Sequence, residues 1–163
     1  MRFLKHILLI FMAIFMLSCG DDNCYEPPTV LLNVSVKSKE KKSAQTIYYT
    51  RVEAAGVDSL LVNAQSTNSL VFELNPADTV CDYTISYKYL QTDEEGKVDT
   101  VPSSEKWRFH YSPELNVPDK NCNMMFFYRL RNIEILENGA VDSLSIINKN
   151  VKNKGTVNAE IFI

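Results

Sequence analysis

Two histidines, four cysteines and one tight acidic run are the residues of this chain whose types could do chemistry. His6 lies in a short basic segment ahead of an apolar N-terminal run, which leaves His110 as the imidazole available to the rest of the chain. A histidine acting as general base needs a nucleophile within reach and a carboxylate to orient it. The chain has no GxSxG, HExxH, P-loop or dinucleotide fingerprint that would supply such partners, so no catalytic residue is assigned. His110 also alternates with Trp107, Phe109 and Tyr111, which puts it on the opposite face of a strand. Zinc would need His110 and the cysteines to converge without any CxxC or close Cys/His spacing. Asp93-Glu94-Glu95-Gly96 offers oxygen ligands for calcium, but Lys97 follows at once where an EF-hand loop continues to a distant glutamate. It reads as a charged hairpin tip, and neither metal nor cofactor is expected.

Cys19 carries a different chemistry. Arg2, Lys5 and His6 precede an unbroken apolar run of 11 residues, from Ile7 to Leu17. That length fits the core of a signal peptide and falls short of the ~20 residues a membrane-spanning helix needs. Met16-Leu17-Ser18-Cys19 then resembles a lipobox: a small residue, an aliphatic one and the cysteine that receives lipid, with Met16 where leucine is usual. The expectation is a lipoprotein signal peptide over 1–18, a lipidated Cys19 and linker over 19–28, and one domain over 29–163. Several acyl chains on Cys19 would hold the chain firmly to a membrane, at about 0.8 kcal/mol per buried CH₂. Asp21 and Asp22 resemble the export signal of Bacteroidetes lipoproteins, which carries them to the outer face of the outer membrane. A plain polar linker there would leave the domain facing the periplasm.

With Cys19 acylated, Cys24, Cys81 and Cys122 remain in a compartment that permits disulfides. Spacing does not fix connectivity among three thiols. Cys24–Cys122 is preferred because it ties the start of the domain to the start of a late strand; Cys81–Cys122 is the alternative. Closing a loop of roughly 100 residues stabilises by about 4–5 kcal/mol in the chain-entropy description.

The elements that must position these residues read as strands. Val30, Leu32, Val34 and Val36 alternate with residues that turn polar, as do Tyr83, Ile85, Tyr87 and Tyr89, then Trp107, Phe109 and Tyr111, then Val157, Ala159, Ile161 and Ile163. Further strands are expected over 47–54, 59–64, 69–74, 124–137 and 140–148. Asn138-Gly139 is the strongest hairpin turn by composition, and prolines 76, 102, 113 and 118 fall between runs, where no ladder donor is needed. Met124, Phe126, Tyr128 and Leu130 share one face, but Ile133 and Ile135 fall on the other. A β-bulge near Arg131-Asn132 would restore the core face. Eight or nine antiparallel strands predict an all-β, two-sheet sandwich, immunoglobulin-like in general architecture, with a small β-barrel as the alternative.

Fifteen basic residues against twenty acidic remain once Arg2 and Lys5 leave with the signal. The one basic cluster, Lys37 to Lys42, sits between two strands with no aromatic to stack on a base, so nucleic acid is not an expected partner. Tyr48-Tyr49, Tyr83, Tyr87, Tyr89, Trp107, Phe109, Tyr111 and Phe126-Phe127-Tyr128 could form a stacking platform for a glycan or an envelope protein, although a sandwich core uses the same residues. Tyr49 and Phe127 are the members expected at the surface.

Cys24-Tyr25-Glu26-Pro27-Pro28 with the strand after it, Phe109 to Leu115, Asn121-Cys122-Asn123-Met124 and Asn132 to Asn148 resemble a family of small Bacteroidetes lipoproteins of unknown function. The resemblance covers most of the chain beyond the signal. It implies the Cys24–Cys122 pairing more than any use of Cys81, and it implies a fold and an address without an activity. The functional expectation is a membrane-anchored, non-catalytic binding or interaction module. The alternatives are a structural envelope lipoprotein without a soluble ligand and, third, a hydrolase using His110.

Overall fold

Alternation of apolar and polar residues organises the described residues into ten strands: β1 (Leu31–Lys37), β2 (Ile47–Ala54), β3 (Leu60–Thr67), β4 (Ser69–Glu73), β5 (Val80–Thr92), β6 (Val98–Asn116), β7 (Met125–Glu137), β8 (Ser143–Ile146), β9 (Asn150–Val151) and β10 (Ala159–Phe162). The computed structural model describes residues 29–55, 60–92, 95–117, 124–152 and 155–163. Cys19, Asp21, Asp22, Cys24, Cys122 and Pro118 lie outside them, as do Asp93 and Glu94. One sheet has the order β4-β1-β10-β8 and the other β3-β2-β5-β6-β7-β9. The two sheets stay separate with free edge strands, so the fold is a sandwich and the barrel alternative falls. Leu32, Val34, Val36, Leu70, Phe72 and Ile161 face Ile47, Val52, Ile85, Trp107, Phe109 and Leu130 across the interior, all fully buried.

The bulge expected near Arg131 is present. Tyr111 pairs with Leu130 and His110 with Asn132, so Arg131 is the extra residue, and both Leu130 and Ile133 reach the core. A second irregularity lies between Lys106 and Trp107, opposite Glu137 and Ile135, and leaves Leu136 outside.

Four expectations need correction. The pairing is not wholly antiparallel, because β1 runs parallel to β10 in a register set by Val34 opposite Ala159. Pro102 and Pro113 lie inside β6 rather than between strands. Before Lys106 that strand pairs with β5 alone, and beyond His110 with β7 alone, so each proline can turn its missing N–H to an open side. Asn138-Gly139 does not close a hairpin: β7 and β8 belong to different sheets. Gly139 instead serves close approach, since a Cβ there would collide with the Ser103 hydroxyl and stand 2.9 Å from the Ser104 carbonyl and 3.0 Å from Glu105 Cγ. β8 therefore begins at Ser143, after the chain has crossed between sheets, and not at Ala140.

Candidate functional site

Once β4 ends, its carbonyls lose the strand ladder and need other donors. Three tyrosines of the six-stranded sheet supply them. The Tyr83 hydroxyl donates to the Glu73 carbonyl, Tyr128 to Leu74 at 2.6 Å and Tyr111 to Asn75 at 2.9 Å. Three successive carbonyls are thus tied to three strands' worth of side chains, because each tyrosine buries its ring in the core and leaves its hydroxyl at the rim. Tyr83, Tyr111 and Tyr128 are therefore structural ties and not members of an open stacking platform.

Outside this tie lies a cleft of about 610 Å³, lined by Ala54, Glu73, Asn75, Asp78, Cys81 and Arg108 among others. It opens where β2 stops at Ala54, opposite Tyr83, so that Val80 and Cys81 have no β2 partner. Cys81 is the nucleophile type within it, half-buried and not disulfide-bonded. Burial pushes its thiol up to about 11, opposed by hydrogen bonds to Tyr111 and Tyr83 and assisted by Asp82 and Asp78. Burial thus favours the protonated thiol over the nucleophilic thiolate at neutral pH. Arg108 holds Asp82 through two bonds of 2.7 and 2.8 Å, and this guanidinium keeps the carboxyl below its ordinary value.

His110 does not share the cleft. It follows Phe109, the ladder partner of Cys81, but its ring lies on the outer face of the sheet, 3.3 Å from Glu134 Oε2. The sheet itself stands between the imidazole and the thiol. Of the two aromatics expected at the surface, Tyr49 is 64% exposed and Phe127 is half-buried against the core. Phe126 is the exposed neighbour. Tyr49 sits at φ 51° in a β2 bulge opposite β5, with the Lys88 ammonium 5.1 Å from its ring.

Sequence reasoning missed two parts of this region. The tyrosine ties were hidden because their partners are backbone carbonyls, though tyrosine in place of phenylalanine at the ends of inward-facing runs was a usable signal. From the sequence, Cys81 is weighed as a disulfide partner and a zinc ligand and not as part of a cleft, although its parity with Tyr83 already puts it on the inner face.

The model of a family of unknown function, DUF6452, matches residues 35–163, most of the chain. The chain belongs to that family. DUF6452 thus takes in every strand from within β1 onward, together with the cleft and the tyrosine ties. No curated protein and no solved structure matches the chain.

An alkaline limit follows from the burial of these groups. Cys81 lies above its ordinary 9.0, and Tyr83, Tyr87, Tyr111 and Tyr128 lie above 10.0, in each case chiefly through burial. A raised acid contributes stability that is complete below its unfolded pKa and is lost as pH rises toward the folded one. Melting temperature should therefore hold between pH 7 and about pH 8.5 and fall continuously above about pH 9. Cys81→Ala should flatten the first part of that fall and leave the tyrosine-driven part; equal melting temperatures at pH 8 and 11 would contradict the burial of these groups.

Proposed function

We propose that the protein is an outer-membrane lipoprotein, anchored through lipid on Cys19 and displayed on the cell surface, whose sandwich is a non-catalytic binding or interaction module. Cys19 itself carries the reading: it follows an 11-residue apolar run and a lipobox-like tetrapeptide, and stands ten residues before Thr29. Asp21 and Asp22 support export to the outer face, and the likeness to small Bacteroidetes lipoproteins supports the same address. The separation of His110 from Cys81 by the sheet, and the protonated state of that thiol, support a role without catalysis. An envelope protein or a glycan is the partner class that a surface β-sandwich with few charged motifs fits, and the membrane is reached through Cys19 alone.

The test is made in the native cell. Wild-type chain should incorporate labelled palmitate and partition into detergent, whereas Cys19→Ser should remain unlabelled and keep its signal segment. Protease added to intact cells should remove the domain. Labelling without protease access would move the protein to the periplasmic side, and an unlabelled wild-type chain would end the lipoprotein reading. Recovery of neither glycan nor envelope protein by cross-linking the labelled, surface-exposed protein would end the interaction-module reading.

A further inference from the structure

Among the described residues, the sandwich has one end at which its core face runs on without a cover. Beyond Tyr111, β6 continues to Asn116, and β7 begins at Met125, with Leu115 paired to Phe126. The opposing sheet stops short of this ribbon, since the chain after β4 is already tied to Tyr128 and Tyr111 at Leu74 and Asn75. Along β6 the parity of Trp107, Phe109 and Tyr111 continues to Leu115 and Val117; along β7 that of Leu130 and Tyr128 runs back to Phe126 and Met124. The same faces that are buried in the sandwich thus end exposed: Leu115 59%, Val117 51%, Met124 68% and Phe126 39%. Scattered exposed apolar residues are ordinary, but four adjoining ones on a projecting ribbon are a contact surface.

Topology says what it contacts. Leu31, the first residue of β1, pairs with Glu73, and Glu73 accepts from Tyr83 beside the other two tyrosine ties. The chain from Cys19 therefore enters the domain at the end from which the ribbon projects. The ribbon reaches roughly 13–20 Å past Tyr111 at the ordinary rise of a strand. Ten residues from Cys19 to Thr29 span at most about 35 Å, so an anchor in the bilayer keeps this end within reach of it. Exposed Arg129 and Arg131 follow on the other face of β7, where long basic side chains suit the headgroup layer.

We propose that the β6–β7 ribbon, through Leu115, Val117, Met124 and Phe126, inserts shallowly into the same membrane leaflet that holds the lipid on Cys19, giving the domain a second contact that fixes its orientation. The proposal rests on the lipoprotein reading of Cys19, and its test keeps the two apart. Full-length lipidated chain carrying Phe126→Trp is reconstituted into phosphatidylethanolamine–phosphatidylglycerol vesicles whose acyl chains are brominated near the headgroup. A parallel chain carries Val98→Trp, at the far end of β6 and 55% exposed. Trp107, fully buried, is a common background to both. The added emission of Phe126→Trp should shift to the blue and fall by roughly half on the brominated lipid, as for a group lying a few ångströms into the interface, while that of Val98→Trp does not change. Intact mass of Cys19 decides the anchor separately. Lipid on Cys19 with no quenching of Phe126→Trp overturns insertion and leaves the anchor standing; an unmodified Cys19 removes both. A blue shift that is present without vesicles, or that grows with protein concentration, also overturns the proposal, because the patch is then covered by the chain itself or by a second copy.

Discussion

Replacing Glu105 with alanine is expected to cost the fold about 3–5 kcal/mol, a large share of the 5–15 kcal/mol that holds a domain of this kind together. Glu105 is 1% exposed and sits on the inward face of β6, two residues before Trp107. Its oxygens collect three donors: the Tyr87 hydroxyl at 2.6 Å, the Trp107 indole N–H at 2.8 Å and the Ala140 backbone N–H at 3.1 Å. An acceptor-only carboxylate suits that arrangement, and alanine would take the acceptor from the buried Tyr87 hydroxyl and Trp107 N–H, while the Ala140 N–H would keep only the Ser103 hydroxyl at 3.0 Å. The last of them lies on the segment that carries the chain from β7 in one sheet to β8 in the other, so the loss also loosens the crossover. Glu105→Gln keeps the shape and one carbonyl oxygen but turns an amide N–H₂ toward a donor, and should cost about 1–2 kcal/mol. Urea unfolding followed by Trp107 fluorescence would check the order. An alanine variant within about 1 kcal/mol of the parent, or a glutamine variant as damaging as alanine, would mean that these hydrogen bonds do not carry the site.

Glu105 also shows where the sequence was legible and where it was not. Strict alternation identified β1, β10 and the inward faces of β5 and β6, because burial on one face of a pleated strand imposes a period of two that survives any topology. The same logic found the bulge at Arg131, since one inserted residue is the cheapest way to reconcile Leu130 with Ile133. Extended backwards from Trp107, that parity puts Glu105 inside as well; a carboxylate by itself belongs at the surface, and only the three donors around it make the inner position tenable. Gly139 was misread for a related reason. Asn-Gly is a turn signal, but the determinant at this position is the space between the crossing chain and Ser103 to Glu105, which is a tertiary quantity. The parallel pairing of β1 with β10 joins residues 125 positions apart, Val34 with Ala159, and no local pattern records it. At the cleft, residue types announced Cys81 and the tyrosines, while the ties to Glu73, Leu74 and Asn75 depend on where β4 stops. Cys19, Asp21, Asp22 and the Cys24–Cys122 pair were read from motif and resemblance, and they lie outside the described residues.

Phe72→Ala should be the most damaging truncation on the four-stranded sheet, at about 3–5 kcal/mol. The ring is fully buried on β4 and crosses the interior to meet three aromatics of the opposite sheet: Phe109 at 4.7 Å, Tyr83 at 5.2 Å and Trp107 at 5.8 Å between centroids. β4 is an edge strand held laterally by β1 alone, so its attachment to the rest of the core depends on side chains such as this one. Removing the ring leaves a cavity beneath Trp107 and takes away three aromatic contacts worth about 0.5–1.5 kcal/mol each, which overlap and do not simply add. The damage should spread past the cavity. The tyrosine ties fix the chain immediately after β4, and a β4 that no longer packs pulls Glu73 and Leu74 away from Tyr83 and Tyr128. Phe72→Leu fills much of the volume without a ring face and should cost about half as much or less. The single tryptophan makes the result readable: Trp107 emission should move to the red in Phe72→Ala as its shielded side opens, and stay close to the parent in Phe72→Leu. If the two variants unfold at the same urea concentration, β4 is held by its ladder with β1 and not by the aromatic cluster.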